Sequence, residues 1–471
     1  MKSSDKTRQT VPIDQPDESG LYAKRQKIYP RITFGFFSRL KALSGLILLG
    51  IYYIFPWLQW GGHQAVLFDL PARQFHVFGL TFWPQDFIYL AFLLIIAGIS
   101  LFFFTTLAGR LWCGFACPQT IWTDSFLWME RLVEGDRSKQ IKLDQAPMSW
   151  RKFRLKTTKH ILWLSFSLWT GLTFVGYFTP IRELSQGLLT FNLSGWETFW
   201  LLFYSLATYG NAGWLREQIC TYMCPYARFQ SAMFDKDTMI IAYDDSRGEP
   251  RGSRKRGTNY KAQGLGDCVN CTICVQVCPA DIDIRDGLQY QCISCSACID
   301  ACDEVMDKMG YPRGLVRYTT ENSLNGIPTH VFRPRVFIYG SILLALLIGL
   351  GYTISARVLL QLDVIHDRNT LFRETEPGQI ENVYTLKIMN MDNKFHSYEI
   401  SASGIEGLQL AQAQEIQVDP GRVLNFPVRL MVNKNNLVKS SNKITFQLTA
   451  VDDPKLTVTE EARFLGPVTR N

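Results

Sequence analysis

Five long apolar stretches interrupt an otherwise charged chain, near residues 42–60, 86–107, 160–180, 196–214 and 335–353. A helix crosses a hydrocarbon core with about 20 residues, so the pattern predicts a polytopic α-helical membrane core of about five spans. The fourth stretch, WETFWLLFYSLATYGNAGW, carries Glu197 and is also open to a re-entrant or interfacial reading. Trp57, Trp60, Trp83, Trp112, Trp196 and Trp214 stand at the span ends, where amphipathic rings favour the headgroup level. The first stretch lacks a small-residue cleavage site and ends in Pro56, Trp57 and Trp60, which reads as an uncleaved anchor and not as a signal peptide.

Beyond about residue 380 the period changes to two. NVYTLKIMN, HSYEISASG, LQLAQAQEIQV, RVLNFPVRLMV, NKITFQLTAV and LTVTEEARFL alternate apolar with polar positions between turn signals. This predicts an all-β, seven-strand immunoglobulin-like domain over 365–471. No cysteine pair staples it, and no His, Asp or Glu cluster there has metal-ligand spacing, so docking is the expected role.

Charge orients the spans. Residues 1–41 carry nine lysines and arginines and 110–159 carry ten, whereas the connections 60–83 and 181–195 carry one each, Arg73 and Arg182. The positive-inside rule then places the N-terminal segment 1–41 and residues 244–318 in the cytoplasm and the C-terminal domain outside it. The net charge of +7 and the basic stretch SRGEPRGSRKRGTNYK at 246–261 raise nucleic-acid binding, but a basic linker over 244–266 on the positive-inside face accounts for them.

Eight of the 12 cysteines lie in one run of 35 residues. They read C-x2-C-x2-C-x3-C twice, at Cys268, Cys271, Cys274 and Cys278, then at Cys292, Cys295, Cys298 and Cys302. Two such quartets predict an inserted α+β ferredoxin-like domain over 267–318 with two [4Fe–4S] clusters, the fourth cysteine of each quartet ligating the other cluster. The expected sets are Cys268, Cys271, Cys274 and Cys302, and Cys292, Cys295, Cys298 and Cys278. A disulfide framework or structural zinc predicts no duplicated quartet. Pro279 follows the first quartet, while Asp303 stands where the second would have proline.

The other four cysteines form a second repeat. GRLWCGFACPQTIW holds Cys113, Cys117 and Pro118, and LREQICTYMCPYARFQ holds Cys220, Cys224 and Pro225. The membrane domain 42–243 thus reads as two helical hairpins, each finishing in C-x3-C-P; four residues apart on a helix places both thiols on one face, while the proline disfavours helix at the second cysteine and can unwind the end. Side-by-side hairpins would bring four sulfurs together. Such a set suits Cu(I), zinc or another iron–sulfur centre; buried inert thiols or a redox disulfide are the alternatives. Met223 lies inside the second motif. His63, His76 and His160 read as separate surface or interface residues.

The hairpin motifs, the run CPADIDIRDGLQYQCISCSACIDACDEVMDKMGYPRGLVRY at 278–318 and the immunoglobulin-like tail resemble the FixG/RdxA/CcoG family of bacterial inner-membrane cytochrome c oxidase accessory proteins. The resemblance implies a cupric reductase that converts Cu(II) to Cu(I) for assembly of a cbb3-type oxidase. Cys113, Cys117, Cys220 and Cys224 would be its catalytic, copper-binding thiols. It also implies copper chaperones or a copper transporter and oxidase subunits as partners, and leaves a homodimer open. Two rival classes are an electron-transfer subunit of a quinol dehydrogenase and a non-enzymatic assembly scaffold.

Overall fold

Among residues 27–367, 370–376, 378–392, 394–411 and 415–467, which the computed structural model describes, three helices are long and apolar enough to cross a membrane: Phe36–Trp57, Pro84–Ala108 and Pro334–Ser355. They fall on the first, second and fifth expected spans. The third expectation falls on the 26-residue helix Trp150–Val175, whose first turns carry Arg151, Lys152, Arg154, Lys156 and Lys159 and so dilute its apolar character. The fourth falls on Gly195–Thr208, 14 residues, which rises about 21 Å and stops short of a core about 30 Å thick. The chain continues from it as a π-helical segment, Tyr209–Leu215.

The chain divides into two compact units. One comprises Met1–Ile47, Phe104–Ser165 and Thr208–Val331. Strand Ile240–Tyr243 pairs antiparallel with Val316–Thr319, so the ribbon closes the two ends of the cysteine-rich segment against each other. Helix Ala297–Met309 packs beneath it, and Ile241, Tyr243, Ile284, Ile299, Met306, Leu315 and Val316 form the core. Residues 244–266 fold onto this core. The Asp244 N–H donates to the Leu315 carbonyl, and Arg254 lies over the rings of Tyr260 and Tyr311 at 4.4 and 5.2 Å.

The second unit comprises Leu48–Phe103, Phe166–Ala207 and Phe332–Asn471. Its β-sandwich has one sheet of Leu360–His366, Arg373–Glu376, Gln379–Asn390, Gln409–Leu410 and Val423–Asn433. The other holds Ile416–Val418, His396–Ser403, Ser441–Ala450 and Thr457–Leu465. Tyr384, Leu386, Tyr398, Leu430, Phe446 and Phe464, one face of each strand, are sealed between the sheets. The segment LQLAQAQEIQV, expected as one strand, is two short strands that belong to different sheets. The same unit contains a small three-stranded sheet, Val66–Asp69, Gln74–Val77 and Leu80–Phe82, inside what reads in sequence as a plain connection. His63 and His76 stack there with ring centroids 4.2 Å apart, so they are not the separate residues that the sequence suggests.

Candidate functional site

The two quartet loops repeat one backbone feature. Asn270 and Thr272 flank Cys271 with φ of 53° and 56°, and Ser294 and Ser296 flank Cys295 with φ of 54° and 63°. Non-glycine residues seldom take this left-handed conformation, which costs on the order of 1 kcal/mol each. Its recurrence on both sides of each middle cysteine bends each loop around the sulfurs. One cavity is lined by Cys268, Cys271, Cys274 and Cys302. A second is lined by Cys278, Cys292, Cys295 and Cys298, with Cys274 also touching it. Each cavity thus combines three cysteines of one quartet with at least one from the other.

Size decides what these cavities fit. Thiolates around one tetrahedral ion at about 2.3 Å lie within about 3.8 Å of one another. Among the described residues no three His, Cys, Asp or Glu side chains close to single-ion geometry. Four sulfurs spread around a cavity fit a larger iron–sulfur cube. Burial raises the Cys278 and Cys302 thiols to about 12 and Cys274 to about 11. Buried thiols of this kind ionise only with a cationic partner, which iron supplies.

The hairpin motifs are built by their prolines. Cys113 lies in the short helix Leu111–Phe115; Cys117 is extended, with ψ of 127°, and Pro118 opens helix Pro118–Glu134. Cys220 lies in the π-helical turn Ile219–Met223; Cys224 is extended, with ψ of 111°, and Pro225 opens helix Pro225–Met233. Proline is suited to a first helical position and pushes the residue before it to extended backbone. Each cysteine pair therefore brackets the end of one helical segment, so the two thiols do not share one helix face.

Gln119 ties the two motifs together, its Nε2 donating to the carbonyls of Asn211, at 2.9 Å, and Arg216, at 3.3 Å. The four thiols come within electrostatic range. Burial pushes Cys113 up to about 12, and Cys117, Cys220 and Cys224 add to the shift. Burial, then Cys117 and Cys224, pushes Cys220 up to about 11. Cys113 Sγ donates to Oε1 of the fully buried Gln230 at 3.3 Å.

Arg110 opposes these shifts. It is buried, it follows the span Pro84–Ala108, and no carboxylate pairs with it among the described residues. Its guanidinium donates to the carbonyls of Tyr290, of Cys292 at 3.2 Å and of Ala227 at 2.5 Å. Its charge lowers the thiol pKa of Cys113, Cys220 and Cys292. A buried, unpaired cation is costly, and thiolates are the anions that this one can offset. Gly114, inside the first motif, lies against the same quartet: a Cβ there would stand 2.6 Å from the Ser294 carbonyl oxygen and 2.9 Å from that of Ile293. Cys292–Cys295 is thus the quartet loop beside the hairpin motifs, whereas Cys271 is the exposed cysteine of the set.

Below the motifs, Glu130 is buried and paired with Arg216 at 2.7 Å and Lys27 at 3.3 Å. Burial raises its pKa, but Arg216, Lys27 and Lys159 outweigh that and hold it at about 2. An open cavity lined by Gln119, Asp124, Glu217 and Cys220 reaches this site.

Comparison with known proteins gives three domain matches: a 4Fe-4S binding domain over residues 90–135, a 4Fe-4S dicluster domain over 215–321, and the IG-like fold at the C-terminal of FixG over 350–467. The nitrogen fixation protein FixG of Rhizobium meliloti is 39% identical over 86% of this chain and 84% of its own. The chain belongs to the FixG family. Another FixG-family relative, protein RdxB of Cereibacter sphaeroides, is 42% identical over 87% of this chain and 88% of its own. The crystal structure of a FixG-related protein from Vibrio parahaemolyticus covers 23% of this chain and 95% of that one, at 36% identity and a TM-score of 0.21. The FixG-family chain is therefore an iron–sulfur protein of redox type with an immunoglobulin-like C-terminal domain.

Sequence reading singled out the 12 cysteines but missed Arg110, Gly114, Gln119 and Glu130. Arg110 and Gly114 stand inside the quoted motif GRLWCGFAC. An arginine and a glycine there read as a span end and a turn, since nothing local says that both face a loop about 180 residues later.

Proposed function

We propose that the chain is a multi-pass inner-membrane cupric reductase that takes Cu(II) to Cu(I) at Cys113, Cys117, Cys220 and Cys224 for assembly of a cbb3-type cytochrome c oxidase. The observation that carries this reading is the seating of the first hairpin motif on the Cys292–Cys295 loop, through Gly114 and Arg110, with the second motif tied to the first by Gln119. Two [4Fe–4S] clusters, held by the two crossed cysteine sets, would supply electrons one at a time, and Cu(II) plus one electron gives Cu(I). The protein's own side chains supply the coordination change. Cu(II) accepts oxygen and nitrogen ligands, whereas Cu(I) is soft and prefers thiolate. Asp124, Glu217 and Gln119 offer oxygens in the cavity that Cys220 also lines. Arg110 favours the thiolate form; Cys113, Cys117, Cys220 and Cys224 do not close to single-ion geometry as they stand, so they would draw together to hold the product.

In this reading five spans set the N-terminal segment and the quartets in the cytoplasm, and the β-sandwich outside it, where copper chaperones, a transporter or oxidase subunits would dock. Membrane lipid surrounds the spans.

Anaerobically purified protein tests the proposal. It is expected to contain close to eight irons, and after reduction and removal of excess reductant it should convert added Cu(II) to Cu(I) as the cluster absorbance returns to its oxidised form. Four irons would remove the two-cluster assignment. Eight irons with no Cu(I) formed would remove copper as the substrate.

A further inference from the structure

The first quartet, in which Cys271 is exposed, has a basic collar. Residues 246–261 contain Arg247, Arg251, Arg254, Lys255, Arg256 and Lys261 against one acidic residue, Glu249. The collar is fixed to the first quartet. The Gly252 N–H donates to the Cys268 carbonyl at 3.2 Å, and Arg254 Nη1 donates to the same oxygen at 3.3 Å. Arg247 is pinned by Asp267 at 2.6 Å, and Arg254 Nη2 donates to the Gly266 carbonyl at 2.7 Å. These two arginines are structural. Arg251, Lys255, Arg256 and Lys261 are exposed. Arg251 approaches Glu249 at 3.7 Å, while Lys255 and Arg256 have no ion-pair partner among the described residues. On the same loop system, Cys271 and Thr272 are exposed, and Arg285 binds Asn270 Oδ1 at 2.7 Å while pairing with Asp283.

We infer that this collar is the docking surface for an acidic one-electron carrier protein, of flavodoxin or ferredoxin type, which delivers its electron at the Cys271 edge of the first quartet. The inference rests on the redox reading above and adds the donor that it lacks. A positive patch steers an acidic partner and sets its register. The patch is fastened to Cys268, in the loop that carries the exposed Cys271. An electron entering there is handed in at the solvent side, and thiol chemistry keeps the other side. The carrier loses one electron and the chain gains one; no bond is made or broken. A surface serving only anionic lipid would have no need to be fastened, residue by residue, to the cysteine loop.

The test uses the full chain in lipid nanodiscs without copper, with an acidic bacterial flavodoxin as probe. Binding should weaken as salt is raised, and the double reversal Lys255→Glu with Arg256→Glu should weaken it about tenfold or more. Iron content and reduction by dithionite, a small reductant, should stay as in the parent protein. Flavodoxin binding that ignores both salt and the reversal would overturn the proposal. So would a reversal that leaves flavodoxin binding intact, because Lys255 and Arg256 would then lie outside the docking surface. Because copper is left out, failure here is distinct from failure of cupric reduction.

Discussion

At the scale of single residues, the site depends on a close approach that only glycine allows. Gly114 lets the first hairpin motif rest on the carbonyls of Ile293 and Ser294, both of them backbone atoms that cannot swing aside. Gly114→Ala should therefore force the motif and the quartet loop apart, at a cost of about 1–3 kcal/mol. Cupric reduction should fall while the four hairpin thiols remain countable by thiol labelling in denaturant. Parent-like activity in Gly114→Ala would show that the contact between motif and loop is dispensable. Arg110 follows the same logic of a partner supplied from far along the chain. The sequence shows a charge at a span end; only the fold shows that its ligands are the carbonyls of Ala227, Tyr290 and Cys292.

At the scale of elements, legibility follows the range of the interactions. The quartets and C-x3-C-P motifs were readable because iron–sulfur ligation and proline geometry act within a few residues. The β-sandwich was readable where strands are long, as in Gln379–Asn390 and Ser441–Ala450, whose alternate side chains are buried. LQLAQAQEIQV misled because its alternation continues while the chain changes sheets, and periodicity carries no record of a partner strand. The small sheet at Val66–Phe82 was lost among residues assigned to a connection. A pH prediction belongs to the sandwich. His396 is buried at the start of its strand, with Nδ1 2.7 Å from Asp452 and Nε2 3.0 Å from Asp392. Burial lowers its pKa, but hydrogen bonds to Asp392 and Asp452 outweigh that and raise it above the ordinary histidine value. A group whose pKa is raised by folding stabilises the fold fully below its unfolded pKa, and that stability is lost as pH rises through the folded pKa. Thermal unfolding of the sandwich should therefore fall in temperature as pH is raised above about 6.5. His396→Gln should flatten that dependence, and an unchanged slope would show that the His396 proton does not contribute.

At the scale of the whole molecule, the FixG-family chain joins apolar helices, a cysteine-rich redox segment and a β-sandwich in one polypeptide. The five-span reading predicts that a reporter fused after the sandwich is active outside the cytoplasm and one inserted near Gly257 is active inside. The reverse pattern would overturn that topology. The central claim is that copper is reduced at the hairpin thiols and that the quartets only supply electrons. The most direct measurement is single-turnover Cu(II) reduction by pre-reduced protein carrying Cys113→Ser with Cys117→Ser, or Cys220→Ser with Cys224→Ser. Serine keeps the size of cysteine but is a poor ligand for a soft ion. Each variant should keep its irons and its reducible spectrum while Cu(I) formation falls to background. Reduction at the parent rate would contradict the account, because copper would then be meeting the iron–sulfur groups directly; loss of iron would contradict it too, because the hairpin thiols would then be ligands or supports of the clusters.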